Sequence, residues 1–511
     1  MRLTPRKAGT WAALVLVGGW ITFIWAWGPS ILTLTVDDSF YYFNTAVHAA
    51  RGEGFTFDGI HPTNGFHPLW MYLLVPLARA FGSSIDTFAR VVLTVQVLLV
   101  WGGTAVLVRT IAPRRGARSA LFVMALFLNF YFAKVFVNGL ESALQYACLC
   151  ATIGCSWDLD DPEAVARAGK GRLVWLALLC AATTLARLSA GVFAVATLTR
   201  VALRAPRGRA RSGPALALMV MVYGLPVAAY FVTNYRDFGH WLPVSAAIKG
   251  AYRGVYTLPL LVTIAAALAV LGLVSRVAPR AFPLAVYAGV QTTFDAGVRG
   301  VLVPEIWYLV PHAALALITV LMARRLAPAW SWTAVAVFAS VTVWSWRVRL
   351  RSDSYSSYTT ARSVGRWIEH NTDPRAIAAG WDCGIVGAYS RRRLVNLDGL
   401  INSWQYKEQY LDTGREQAFI DTDGRVDFIV QPVPLASLET DSPLFVDHGV
   451  DFSEWHLAHI ECTTFRSVLA RSDEAVVHLV LARAPLGPPM KSVVGPNARR
   501  LCADQRRAEA R

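Results

Sequence analysis

Long apolar runs separated by short arginine-rich loops constrain this chain more than any other feature. The loops carry Arg114, Arg115 and Arg118; Arg204, Arg207, Arg209 and Arg211; and Arg324 and Arg325. The runs between them approach the ~20 apolar residues that a helix needs to cross a bilayer core. Only 16% of the 511 residues are charged and 55% are hydrophobic, against about 25% charged in a soluble globular protein. Mean hydropathy is +0.40. An ordinary soluble enzyme, a disordered tail and a fibrous protein are excluded. The balance of 49 basic to 34 acidic residues gives +15, but the cations sit where the positive-inside rule puts them. That placement argues against nucleic acid as the partner.

The pattern predicts an α-helical polytopic membrane protein of about eleven spans, with a structured first external loop and a C-terminal extracytoplasmic α/β domain. A basic leader, Arg2, Arg6 and Lys7, precedes an apolar run at about 11–33. No small-residue cleavage site follows, so this reads as a retained first span with a cytoplasmic N-terminus. Further spans are expected near 86–109, 119–137, 142–157, 173–187, 188–203, 214–233, 257–274, 281–297, 305–323 and 328–346. The stretch 67–82, at roughly 16 residues, is short for a span. Counting it as one would also turn the Arg109–Arg118 loop outward, so it reads as a re-entrant or interfacial helix. The region 173–203 could form one tilted helix, but the basic loop at 204–211 argues for two.

On this reading residues 1–346 form the membrane part, with 34–82 as the external loop. Residues 347–490 form the α/β domain and 491–511 a basic tail. Helices are expected at Tyr358–His370 and Gly384–Ser390. Strands are expected at Arg375–Ala379, Arg393–Leu397, Val426–Val430 and Val476–Leu481. Cys148, Cys150, Cys155 and Cys180 lie in apolar runs and read as packing residues. Cys383, Cys462 and Cys502 lie in the polar region without zinc-type spacing. An extracytoplasmic location would permit a Cys383–Cys462 disulfide.

The first external loop carries the densest chemistry. It opens with Asp37-Asp38 directly after the first span. Adjacent carboxylates at a membrane boundary are costly to desolvate. They make sense as a proton acceptor for a hydroxyl, as metal-associated carboxylates, or as caps of the helix that follows. His48, Glu53, Asp58, His61 and His67 share the loop, without HxxxH or HxH spacing. Glu141, Arg187, the Tyr235–Lys249 loop, Asp295, Arg299 and Glu305 project toward the same external side. Each alone reads as loop solvation or snorkelling; their common side suggests a shared polar cavity. Asp382, Asn396 and Asp398 follow the expected strands and suit turn and cap roles, with acceptor binding as the alternative.

The segments DDSFYYF at 37–43, ARGEGFTFDGIHPTNGFHPLW at 50–70, NGLES at 138–142, LARLSAG at 185–191, NYRDFGHWLPVSAAIK at 234–249, WYLVP at 307–311 and GWDCGIVGAYSRRRLVNLDGLINS at 380–403 are informative together. They resemble the bacterial GT-C-type membrane glycosyltransferases, relatives of protein O-mannosyltransferases and lipid A aminoarabinose transferases, over about residues 10–430. The resemblance implies transfer of a hexosyl or pentosyl unit from a polyprenyl-phosphate donor to an acceptor on the outer face of the plasma membrane. It implies Asp37 or Asp38 as the catalytic base, or as metal-associated carboxylates if a divalent ion takes part. Asp37 is marginally favoured, and the sequence does not separate the two. Glu141 matches the second acidic position. Arg187 and Lys249 suit the donor phosphate, and His61 and His67 complete the substrate-binding candidates. One departure stands out: relatives carry a carboxylate where this chain has Ser189. The sugar, the acceptor and the metal are not named by the sequence. A transporter or flippase for a lipid-linked anion would also need intramembrane polar groups, but no inverted repeat is visible. A non-catalytic factor that binds polyprenyl lipids is the third reading.

Overall fold

The computed structural model describes residues 5–112, 126–205, 212–251, 257–297, 305–322, 340–343, 354–423, 425–434, 450, 452, 455–466, 473–483 and 500. The expected span at 328–346 and the basic tail lie largely outside the described residues; of the span expected at 119–137, residues 126–137 are described and hold a short helix, Phe130–Lys134. Among the described residues two helices are long and apolar enough to cross a membrane, Ile85–Ile111 and Gly213–Phe238. Shorter apolar helices surround them. The first apolar run is not one rod: the helix Pro5–Ala26 ends before Pro29, and a separate turn of helix, Ser30–Leu34, follows. The 173–203 region also breaks. Lys170–Ala186 and Gly191–Arg204 are separate helices, and Arg187 between them is extended at φ −154°, ψ 118°.

The stretch expected to lie at the interface forms the helix Pro68–Phe81. Pro68 opens it at a position whose N–H has no helical partner anyway. At 14 residues and 1.5 Å per residue it measures about 21 Å, short of a ~30 Å hydrocarbon core. Its buried face, Trp70, Met71 and Leu74, does not join the cluster of the membrane helices. It packs with Phe40, Phe43 and Phe88, and with Ile385, Val386 and Leu394 far along the chain. The 34–82 segment, expected to be an external loop, is therefore built into the C-terminal region.

That region is a five-stranded sheet: β1 (Ile377–Gly380), β2 (Arg393–Asn396), β3 (Phe428–Pro434), β4 (His456–Arg466) and β5 (Asp473–Ala482), in the order β2-β1-β3-β5-β4. β1 runs parallel to β2 and β3, and the β3–β5 and β5–β4 pairs are antiparallel. The β1-to-β2 crossover is the helix Gly384–Ser390, as a parallel pair demands. Side chains alternate along each strand. Ala378, Leu394, Val430 and Val480 face the external-loop core, while Ala379, Val395, Ile429 and Leu479 face a second core with Tyr406, Phe419 and Trp455. β4 was not expected from the sequence. Cys383 is a free, buried thiol, whereas Cys462 is disulfide-bonded, so the permitted Cys383–Cys462 bridge does not form.

Among the contacts that join the two parts, one is made at the crossover helix. The crossover helix packs on the helix Asp37–Ala50, and a Cβ on Gly384 would fall 2.4 Å from the Asp37 carbonyl oxygen. Only glycine permits that approach. Gly384→Ala is expected to cost about 1–3 kcal/mol through overpacking, read as a lower thermal midpoint of the purified protein. An unchanged midpoint would show that the junction yields without cost.

Candidate active site

Asp37 and Asp38 begin the same helix and turn to different tasks. Both carboxylate oxygens of Asp37 accept backbone N–H groups of the crossover helix, Gly384 N to Oδ2 and Ile385 N to Oδ1, each at 2.8 Å. Asp37 thus caps a helix more than three hundred residues away in the chain. Burial pushes its carboxyl well above the usual carboxylate range, against the pull of those two bonds. Asp38 instead lines a cavity of about 320 Å³. Its Oδ2 lies 3.8 Å from the Lys249 ammonium, and both side chains are about three-quarters buried, at 27% and 28% exposure. Burial raises the Asp38 carboxyl while Lys249 draws it down.

The cavity gathers Asp38, His67, Glu141, Arg187 and Lys249. Glu141 sits in the turn that precedes the helix Ser142–Ser156. Gln96, buried in the long Ile85–Ile111 helix, pins that turn by accepting the Gly139 N–H at 2.9 Å and donating to the Leu140 carbonyl. Arg187 occupies the helix break described above. It donates to Glu141 Oε1 at 2.5 Å and lies 4.4 Å from the Tyr308 ring centre. The pair is nearly sealed, with side chains 6% and 3% exposed. Burial opposes ionisation of Glu141, yet His67 and Arg187 hold its carboxyl below the usual value.

His67 Nε2 approaches Glu141 Oε1 at 3.5 Å. Burial lowers its imidazole to about 4; Arg187 and Lys249 push the same way and Glu141 opposes. His67 is therefore neutral near pH 7, a hydrogen-bonding group and not a cation. His61 is not part of the cavity lining: its Nδ1 meets Asp58 Oδ2 at 2.6 Å, and its ring packs on Phe419. Tyr287 and Gln291, together with Tyr42, line the cavity without having been singled out from the sequence. Ser189 donates to or accepts from the Tyr287 hydroxyl at 2.9 Å, which also accepts from Gln145 at 2.8 Å. For Gln291 the available signal was a polar group inside an apolar run.

Behind Asp38 lies the edge of the sheet. Tyr41 donates to Asp398 Oδ2 at 3.0 Å, and Asp398 Oδ1 accepts the Leu400 N–H at 3.0 Å, the turn role expected of it. Burial, with Asp398 and Asp38 nearby, raises Asp382 to about 6. The residues do not fit a metal held between Asp37 and Asp38. Asp37 has spent both oxygens on backbone, Asp38 faces an ammonium, and no three metal-ligating side chains cluster among the described residues. The apolar wall, with Leu188, Val192, Val290 and Phe294, opens sideways: Val290 and Phe294 are 47% and 42% exposed.

No curated protein matches the sequence. A family model described as a domain of unknown function, DUF8728, matches residues 347–477. Among solved structures, ArnT from Cupriavidus metallidurans in the apo state superposes with TM-score 0.52 at 15% identity, covering 92% of this chain and 99% of that one. The same protein bound to undecaprenyl phosphate superposes with TM-score 0.52 at 16% identity, covering 94% and 98%. The oligosaccharyltransferase AglB from Archaeoglobus fulgidus, in complex with an inhibitory peptide and a dolichol-phosphate, aligns with TM-score 0.45 at 10% identity, covering 84% and 70%. The ArnT likeness shows a shared fold, the GT-C-type membrane fold that the motifs implied.

Two tests follow from the buried groups. Arg187→Met leaves Glu141 ionised without its partner and is expected to destabilise by about 3–5 kcal/mol, with Glu141→Gln on the same chain restoring most of the loss. Thermal unfolding of the unsubstituted protein and the two variants reads this. His67 carries an imidazole of about 4 when folded and 6.5 when free, so between those values the unfolded chain binds more protons and stability rises with pH. His67→Gln removes that slope. Its advantage over the unsubstituted protein should be largest near pH 4 and gone by pH 6.5, in unfolding curves taken across that range.

Proposed function

We propose that a chain with this fold and this cavity is a membrane glycosyltransferase. It transfers a sugar from a polyprenyl-phosphate donor to an acceptor on the outer face, with an N-terminus in the cytoplasm, about eleven spans and the sheet outside. The observation that carries the reading is the union of two surfaces in one cavity. A carboxylate and cations, Asp38, Lys249 and Arg187, stand on one side; an apolar wall exposed at Val290 and Phe294 stands on the other. An isoprenoid-linked sugar phosphate needs both: lipid contact for its tail and cationic donors for its phosphate. The undecaprenyl phosphate bound by ArnT, whose fold is shared, supports the same reading.

In the proposed reaction Asp38 accepts the proton of an acceptor hydroxyl, whose oxygen attacks the anomeric carbon. The bond from that carbon to the phosphate oxygen breaks, and the electron pair leaves on the polyprenyl phosphate. One displacement inverts the anomeric centre. Lys249 rests against Asp38 before substrate enters. Its flexible stem lets the ammonium turn to the donor phosphate, which frees the carboxylate as base and stabilises the leaving group. Arg187, held by Glu141 and the Tyr308 ring, presents a fixed second cation. Neutral His67 donates to or accepts from sugar hydroxyls. Asp37 positions the helix that closes the site. No step is assigned to a metal.

Asp38→Asn keeps the side-chain shape and removes the proton acceptor, so transfer should fall about 10²–10⁴-fold with expression and donor binding retained. The check is mass spectrometry of envelope glycans and lipids in a strain lacking this gene and complemented with either form. Full restoration of the missing mass by Asp38→Asn would sink the assignment. Because burial raises the Asp38 carboxyl above its ordinary 3.8, the acid limb of the rate profile should lie above that pH, with activity lost as pH falls through it.

A further inference from the structure

A second cavity, of about 520 Å³, lies where the external loop meets the C-terminal region, at the far end of the crossover helix from Asp37. Its lining includes Arg51, Arg391, Arg392, Arg393 and His48, and no carboxylate. Asn44 and Ser83 add neutral hydrogen-bonding groups. Four arginines on one concave surface repel one another unless an anion sits among them.

Two nearby acids meet lining residues: Glu53 bonds His48 Nδ1 at 2.5 Å and Glu369 pairs with Arg391 at 3.2 Å. Asp86 is taken by Arg362, outside the cavity, at 2.8 Å. The acids thus leave Arg51, Arg392 and Arg393 without a carboxylate among the described residues. Among the described residues Arg392 donates to uncharged oxygens: the Thr372 hydroxyl and carbonyl and the carbonyls of Glu369 and Arg391. Its guanidinium is thus fixed in place with no carboxylate against it among those residues. Among the described residues no carboxylate pairs with Arg51 or Arg393, both exposed. Arg391 is held in the left-handed region at φ 48°, a helix-end position where glycine is the unstrained residue. Such strain in a side chain this large gathers at working sites. Ser83 and Ile85, at the start of the long membrane helix Ile85–Ile111, form one wall and set the cavity at the membrane boundary.

From this geometry we infer that the cavity walled by Arg51, Arg391, Arg392 and Arg393 binds a phosphate group, separately from the proposed donor site. Planar, forked guanidinium donors match phosphate oxygens bidentately, and the volume lies in the range of small-ligand pockets. The phosphate belongs either to the headgroup of an outer-leaflet phospholipid or to a free anion.

The test uses the full-length protein in detergent, carrying Lys249→Gln to weaken phosphate binding at the proposed donor site. Titration calorimetry follows three probes: inorganic phosphate, dihexanoylphosphatidylglycerol and dihexanoylphosphatidylcholine. At least one of the first two should bind, more weakly as salt rises. Adding Arg51→Gln and Arg393→Gln should weaken that binding by about tenfold or more, as expected for lost charge-assisted bonds. Arg51→Lys with Arg393→Lys should fall between. These side chains are exposed and hold no hydrogen bond or ion pair among the described residues, and an unchanged thermal midpoint verifies that the fold does not need them. Binding of both anions assigns the phosphate group itself, of the lipid alone its headgroup, and of phosphate alone a free anion. Undiminished binding in the glutamine variant, absence of binding by either anion, or phosphatidylcholine binding as tightly would overturn the inference.

Discussion

Ionised groups at the edge of a bilayer must find partners or neutralise, and this constraint organises the molecule. Asp37 faces it first. Its carboxylate is buried between the external loop and the sheet, and two backbone N–H groups of the crossover helix satisfy it. Because those donors belong to Gly384 and Ile385, satisfying the charge also fixes the sheet against the loop. The shared apolar core of Phe40, Trp70, Phe88, Val386 and Leu394 then closes around the junction. Two features follow: the next carboxylate along, Asp38, is turned toward the cavity, and the loop following β2 lines that cavity through Leu400 and Ile401.

The Asp-Asp pair was legible in the sequence, but its division of labour was not. Adjacent residues on a helix point about 100° apart, so one can meet the crossover helix while the other meets the cavity. Which does which depends on a contact with residue 384, beyond any local pattern. His61 and His67 were equally indistinguishable: each precedes a proline in the same loop, yet one is held by Asp58 and the other by Glu141. The helices and strands of the C-terminal region were mostly legible from their period. β4 was not, because its ladder shifts register between Leu457 and His459. A bulge there moves the following side chains to the opposite faces and breaks the alternation that marks a strand. Tyr287 carried no signal of its own in an apolar run, since a buried tyrosine is ordinary packing until its hydroxyl acquires partners.

Ser189 bears on how the cavity handles charge. The serine and Tyr287 extend a neutral hydrogen-bond chain to Gln145. The lining then holds two acids, Asp38 and Glu141, against two cations, Arg187 and Lys249, with His67 uncharged near pH 7. A carboxylate at position 189 would tip that balance negative beside Arg187 and oppose an anionic donor in a site where screening is weak. With the balance even, an arriving phosphate has two cations of unequal freedom to meet. Arg187 is bound in place by Glu141 at 2.5 Å, whereas Lys249 stands at the looser 3.8 Å from Asp38. The phosphate competes more easily for the looser one. Recruiting Lys249 removes from Asp38 the charge that lowers its proton affinity, so on the proposed mechanism donor binding itself would make the base more basic.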